Sequence, residues 1–337
     1  MKKSRYLILS LALAVALVWA ASILSAEEAA PQQATAETQP APETQPAPET
    51  QPAPVTVTIF ATGDIHEKAD YVTRIAGYVK KARAEDPNVL FFDAGDAISG
   101  YGDKELTTTR GEAMYRLMIA SGYDACVFGN HCHGLGKTRI IELLRKYPDF
   151  PLLAANINWT EEEKDIAKLL PAYKIFELKG VKVAVIGASS HDLRYTRRDR
   201  FAVYYEVEAV HRLVPELRKQ ADIVVAITHQ YEEHDYPTAS GPNAPDVVVG
   251  GHSHGATATP YGREKKSYLI KAGRYGRYLA TVRLTWDGQK IVDRTGEVMR
   301  VEDNWPEDKE VKAIRDSYIE TYRKEQERIE AEKKAAG

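Results

Sequence analysis

The sequence predicts an α/β domain built from sheets covered on both faces. Three observations point there. Short, wholly apolar runs recur along the chain, segments with helical apolar spacing lie between them, and polar clusters stand just after several of the runs. Val55–Ala61 reads as the first strand. Tyr71–Ala84 follows as a helix, with Val72, Ile75, Ala76 and Val79 on one face. Val89–Asp93 is an apolar strand, Gly111–Ala120 a helix, Ala125–Phe128 a strand and Thr138–Lys146 a helix. Further apolar runs at Leu152–Ala154, Val181–Ile186, Ile223–Ile227 and Val247–Val249 read as strands, and Tyr268–Ile270 and Tyr278–Leu284 as late β-structure. One globular domain is expected over residues 55–303. Residues 304–337 are expected to form a charged C-terminal helix, with Val311, Ile314, Tyr318 and Tyr322 as a narrow apolar stripe.

The first 54 residues have a different character. Lys2, Lys3 and Arg5 precede an apolar run from Tyr6 to Leu24, with Ser25 and Ala26 behind it. Residues 1–26 therefore read as a signal peptide or as an uncleaved N-terminal membrane anchor. Residues 27–54 repeat Pro-Ala-Pro-Glu-Thr-Gln and hold almost no large apolar side chain, so they read as a disordered, proline-rich spacer. Together they predict a location in the cell envelope, periplasmic or extracellular, secreted or tethered.

The 337 residues carry a formal charge of −3, which leaves no electrostatic footprint for polymeric nucleic acid. A small anionic substrate needs only local charge. Of the two cysteines, Cys126 reads as a small buried hydrophobe and Cys132 as a free thiol near a site, rather than as a bridge.

The chemistry gathers at strand ends, where open α/β sheets bind ligands. Asp64 and His66 follow the first strand. Asp93 and Asp96 follow the second, Gly129-Asn130-His131 the third, His229 the run at 223–227, and Gly251-His252-Ser253-His254 the run at 247–249. Any one of these could be a cap, a turn or a surface histidine. Five in order, each at a strand end, form a donor set of carboxylates, imidazoles and one amide that suits borderline divalent metals. Seven side chains are candidate ligands: Asp64, His66, Asp96, Asn130, His229, His252 and His254. That number suits two ions.

This ordered set resembles the calcineurin-like metallophosphatases, in the 5′-nucleotidase / UDP-sugar hydrolase branch. Phe150-Pro151-Leu152-Leu153-Ala154-Ala155-Asn156-Ile157, Val183-Ala184-Val185-Ile186-Gly187 and Ala272-Gly273-Arg274-Tyr275-Gly276 extend the resemblance over about residues 55–300. It implies a four-layer α/β/β/α sandwich with a strand-end metal site. It also implies a hydrolase of small phosphoesters that uses two divalent ions: zinc, manganese or iron. Asp64, His66, Asp96 and His254 would hold one ion, and Asp96, Asn130, His229 and His252 the other, with Asp96 shared. Asn130 and His131 would stabilise the phosphoryl oxygens or protonate the leaving oxygen, so the catalytic residues are Asp96, Asn130 and His131.

Two departures stand out. The branch usually carries an acid three positions after the Gly-Asn-His histidine, where this chain has Gly134. No segment after Val301 reads as a nucleotide-binding domain. Leaving-group contacts are therefore expected from Tyr101, the His191–Arg200 loop with Arg194, Arg197, Arg198 and Arg200, and Tyr231–Tyr236. The alternatives are a thiosulfohydrolase on the same scaffold and a non-catalytic, metal-binding envelope protein.

Overall fold

The structure is a computed structural model that describes residues 53–192, 194 and 199–336. The expected signal or anchor, the spacer up to residue 52, and Arg197 and Arg198 lie outside the described residues. In chain order the elements are β1 Val55–Thr62, α1 Asp70–Glu85, β2 Val89–Asp93, α2 Lys104–Thr107, α3 Glu112–Ser121, β3 Ala125–Cys126, α4 Lys137–Lys146, α5 Lys164–Ala167, β4 Tyr173–Leu178 and β5 Val181–Ala188. There follow α6 Glu206–Leu217, β6 Ile223–Thr228, α7 Glu232–Thr238, β7 Val247–Gly250, β8 Ala256–Tyr261, β9 Ser267–Ala272, β10 Tyr278–Trp286, β11 Ile291–Arg300 and α8 Lys309–Ala336.

Two sheets form, in the orders β11-β10-β1-β2-β3 and β4-β5-β6-β7-β9-β8. Strands β1, β2 and β3 run parallel, as do β5, β6, β7 and β9; the antiparallel partners lie towards the edges. Apolar strands explain the layering, because successive side chains leave opposite faces. Val57, Ile59 and Ala61 of β1 enter a core shared with Val183 and Val185 of β5 and with Ile223, Val225 and Ile227 of β6. Phe60 faces the other way, among Val72, Ile75 and Val79 of α1. On the far side, Val224 and Ala226 meet Ala209, Val210 and Val214 of α6. The result is helices, sheet, sheet, helices, the four layers that the sequence implies.

The helices predicted at 71–84, 111–120 and 138–146 hold to within one residue at each end, whereas the C-terminal helix expected from residue 304 begins only at Lys309. The strand predicted at Ala125–Phe128 stops at Cys126, where the chain begins the turn that presents Asn130. Leu152–Ala154 is not a strand but a single bridge from Leu152 to Cys126, too short to build a ladder. Helix α8 lays Val311, Ile314 and Tyr318 on the helical layer. Its later turns are lined by i,i+3 and i,i+4 ion pairs such as Arg328 with Glu325 and Glu332. Cys126 and Cys132 are both buried free thiols. Burial raises the Cys132 thiol far above its usual range, so it is an inert packing residue rather than a reactive one.

The core between the sheets makes a prediction. Ile227→Ala removes a fully buried side chain from that seam and should cost about 2–5 kcal/mol of unfolding free energy. Val292→Ala, at a half-exposed position on β11, should change it by less than about 0.5 kcal/mol. Urea melts of the two variants against the parent check this.

Candidate metal centre

The parallel strands of both sheets end at the same edge. Beyond β1, the main chain of Asp64, His66 and Glu67 donates to the carbonyls of Gly95, Asp96 and Ala97 beyond β2, at 2.8, 2.8 and 2.9 Å. The ladder thus continues past the strands and sets Asp64, His66 and Asp96 side by side. All three have left-handed backbone, with φ of 54°, 50° and 54°; so do His252 and His254, at 69° and 57°. Residues other than glycine rarely take this conformation, at a cost of about 1–3 kcal/mol each, and it gathers at functional sites.

The donor atoms fall into two adjoining groups. In one, His66 Nε2 lies 3.2 Å from His254 Nε2, and Asp64 Oδ1 lies 3.8 and 3.5 Å from the same two nitrogens. In the other, Asn130 Oδ1 stands 3.1 Å from His229 Nε2 and 2.9 Å from His252 Nδ1, while Asp96 Oδ2 is 3.2 Å from His229 Nε2. Asp64 Oδ1 joins the halves, 4.0 Å from His229 Nε2. The structure therefore brings all seven predicted side chains together.

Three features show that this cluster fits a cation. Asp64 Oδ1 is buried without a hydrogen-bond partner, although an orphaned carboxylate oxygen is costly. His229 Nδ1 faces the Ala94 carbonyl at 2.7 Å, so it carries the proton and leaves Nε2 turned towards three oxygens. A metal-binding histidine is oriented in this way by its second nitrogen. Finally, the set is carboxylate, imidazole and amide with no thiolate.

The electrostatics agree. Burial opposes charge on His229, but Asp96 and then Asp64 outweigh it and lift the imidazole to about 9. Burial works against the Asp96 carboxylate too, yet His229 and then His66 hold it well below the usual range. His66 and His252, desolvated and beside other imidazoles, drop to about 4. Positive charge is thus favoured between Asp96 and Asp64, where His229 Nε2 also points.

Close packing fixes the carboxylates. Asp96 Oδ1 accepts from the backbone N–H of His131 at 2.9 Å and of Cys132 at 3.3 Å. A Cβ on Gly129 would stand 2.0 Å from that same oxygen. His131 lies half-buried at the rim, its ring edge-on to His66 at 5.3 Å and to Tyr101 at 5.4 Å. Tyr101 itself is 71% exposed. Gly134 falls in a tight turn, Cys132–Leu135, and places no side chain behind His131.

Other predicted contacts divide. Arg194 is drawn to Asp192 and the Tyr231 hydroxyl, both at 2.7 Å. Tyr236 packs on Tyr261, away from the cluster. Tyr231, expected from the sequence as a leaving-group contact, does stand at the site, whereas sequence reasoning gave Tyr275 and Glu67 no particular role there. Tyr231 sets its ring 4.5 Å from that of His252, Tyr275 packs 5.8 Å from His66, and buried Glu67 accepts from the Ser99 and Gly100 amides. Tyr231 was legible because it lies two residues after His229.

The family model for calcineurin-like phosphoesterases matches residues 57–256. The trifunctional nucleotide phosphoesterase protein YfkN of Bacillus subtilis is 25% identical over 301 residues, covering 78% of this chain and 20% of that protein. The 5′-nucleotidase of Bos taurus is 28% identical over 297 residues, covering 76% of this chain and 51% of its own. The chain thus spans about half the length of the mammalian 5′-nucleotidases it matches. Among solved structures, a 5′-nucleotidase precursor from Thermus thermophilus superposes with a TM-score of 0.69 at 23% identity, over 80% of this chain and 59% of the other, which is a likeness of fold.

The Gly129 contact makes the site testable. Gly129→Ala should displace the Asp96 carboxylate and weaken manganese binding by about 10–100-fold with the fold retained. Calorimetric titration beside circular dichroism measures both; unchanged affinity would mean that Asp96 does not set the site.

Proposed function

This chain belongs to the calcineurin-like phosphoesterase family, and we propose that it is an exported hydrolase of small phosphoesters, 5′-nucleotidase-like, that works with two divalent metal ions. The observation that carries the reading is the convergence of the seven donors into two adjoining groups around the orphaned Asp64 oxygen. Asp64, His66, Asp96 and His254 would hold one ion. Asp96, Asn130, His229 and His252 would hold the other, with Asp96 shared. Zinc, manganese and iron all suit this donor set. Such a pair of cations, when bound, neutralises phosphoryl charge and acidifies a water between them.

The chain's own groups supply the rest. Asn130, buried and directed by two imidazoles, fixes the floor on which the phosphoryl group rests. His131, anchored through its backbone to Asp96, stands at the mouth, where its ring can meet a phosphoryl oxygen and give a proton to the departing oxygen. Tyr101 and Tyr231 flank that mouth and offer apolar, hydrogen-bonding surface to the leaving group. Export rests on the basic start, the apolar run and the proline-rich spacer of residues 1–54. Among the described residues no helix is long and apolar enough to cross a membrane.

Chelation should abolish phosphate release from nucleotides and aryl phosphates, and added manganese or zinc should restore it; full activity after exhaustive chelation would overturn the reading. An S-sulfonate substrate run alongside separates phosphoester from thiosulfo hydrolysis. Asp96→Asn should lower the metal content of this centre to one ion or none. His131→Ala should keep the metal of the parent and lose turnover by about 10²–10⁴-fold. For location, fractionation with protease protection should place the protein outside the cytoplasm; a cytoplasmic protein that retains Met1 would refute export.

A further inference from the structure

A second cluster of metal-type donors stands apart from the seven. His191 lies just beyond β5, Glu206 opens α6, and His234 sits in α7. One donor atom from each lies within 4.8 Å of the others. Spacings of 15 and 28 residues give the sequence no motif here; the fold alone assembles the group. Glu206 is completely buried, and it accepts from His191 twice, from the backbone N–H at 2.9 Å and at Nδ1 at 2.7 Å. His234 Nδ1 is buried with no hydrogen-bond partner. The rings of His191 and His234 are 5.5 Å apart, and Tyr205 closes over both, at 4.3 and 5.4 Å.

A buried carboxylate needs a cation, and a buried imidazole nitrogen without a hydrogen-bond partner needs one from some source. A proton on His191 answers the first need and leaves the second unmet. A metal answers both. Two imidazoles and one carboxylate form the three-ligand set of many zinc sites, which keep a fourth position open. Nitrogen and oxygen donors about 2.0 Å from one ion lie roughly 3.3 Å from each other, so side-chain rotation through about an ångström closes the set.

We propose that His191, Glu206 and His234 form a third, separate site for a borderline divalent cation, zinc foremost, with its own ligands and one open position. The site ties the loop after β5, the start of α6 and α7 to one point. Tyr231 connects it with the main centre: its ring lies 6.1 Å from those of His191 and His234 and 4.5 Å from that of His252. An ion here would hold Tyr231 against the mouth of the main centre.

The test counts metal and does not depend on turnover. Full-length protein is stripped with chelator, saturated with zinc chloride, desalted and analysed for zinc by mass spectrometry. His234→Phe and His191→Gln should each bind one equivalent less than the parent. A chain carrying Asp96→Asn and His252→Ala, with the main centre disabled, should still bind one. In that background, cobalt(II) should give the intense visible bands of a four-coordinate ion, and His234→Phe should remove them and weaken zinc binding at least a hundredfold. Zinc should raise the melting temperature of the background chain but not of the one that also carries His234→Phe. Equal zinc counts in the parent and both single variants, with native circular dichroism, would overturn the proposal. So would a background chain that holds no zinc.

Discussion

One hydrogen bond ties the two halves of this molecule at the point where they act. His229, at the end of β6, gives its Nδ1 proton to the carbonyl of Ala94, just past β2, at 2.7 Å. The apolar faces press the sheets together along their length, but such contacts are not directional. The histidine fixes how the two edges meet. It permits no side chain between them: a Cβ on Gly251 would lie 2.4 Å from the Ala94 oxygen and 2.6 Å from His229 Nδ1. By fixing the tautomer, the bond also aims Nε2 at Asp96, Asn130 and Asp64. The chemistry of one sheet is thereby addressed to the other.

What the bond gathers is unfavourable when taken alone. Five of the seven donors sit on left-handed backbone, and Asp64 presents a buried oxygen with no donor. At about 1–3 kcal/mol per strained residue, the edge carries several kcal/mol of local strain. The offset comes from the continued ladder between the two turns and from the apolar seam beneath, where Val57, Ile59, Val183, Val225 and Ile227 are fully buried. Strain of this kind survives only where surrounding structure overdetermines the backbone. The orphaned Asp64 oxygen is the part of this cost that a bound cation would remove, so stability and cation binding are linked at this edge.

The sequence showed most clearly what is both apolar and central. Strands β1, β2, β5, β6 and β7 are continuous hydrophobic runs because both faces are covered, and each donor cluster follows such a run directly. Edge elements were less legible. Strand β11 mixes charged and apolar residues without regular alternation along an exposed margin, β8 is only half-buried, and α6 contains Pro215, so none gives a clean period. Leu152–Ala154 looked like a strand because it is buried and apolar, yet burial there comes from loop packing, which leaves the same signature. The seven donors were readable because each lies within four residues of a strand. His191, Glu206 and His234 were not, since they are brought together by two successive connections, β5 to β6 and β6 to β7, and only His191 follows closely on a strand.

The absence of an acid at Gly134 can be followed through the same geometry. A carboxylate behind His131 would orient its ring by a hydrogen bond. This chain instead holds the residue from two other directions: the backbone amide is locked to Asp96, and the ring is bracketed edge-on by His66 and Tyr101. Tyr101 can serve only if its loop is firm, and Glu67 provides that. Burial raises the Glu67 carboxyl above its ordinary range, while the amides of Gly100 and Ser99 oppose that rise, which favours the anion that gathers their N–H groups. A Cβ on Gly102 would meet the Glu67 side chain at 2.4 Å, so the loop is pressed against that anchor from both ends. Edge-on aromatic packing restrains where a ring lies but accepts no proton from it, whereas a carboxylate does both. Packing at the rim therefore contributes to the aim of the His131 ring, and the loop from Ser99 to Gly102 becomes part of what positions it.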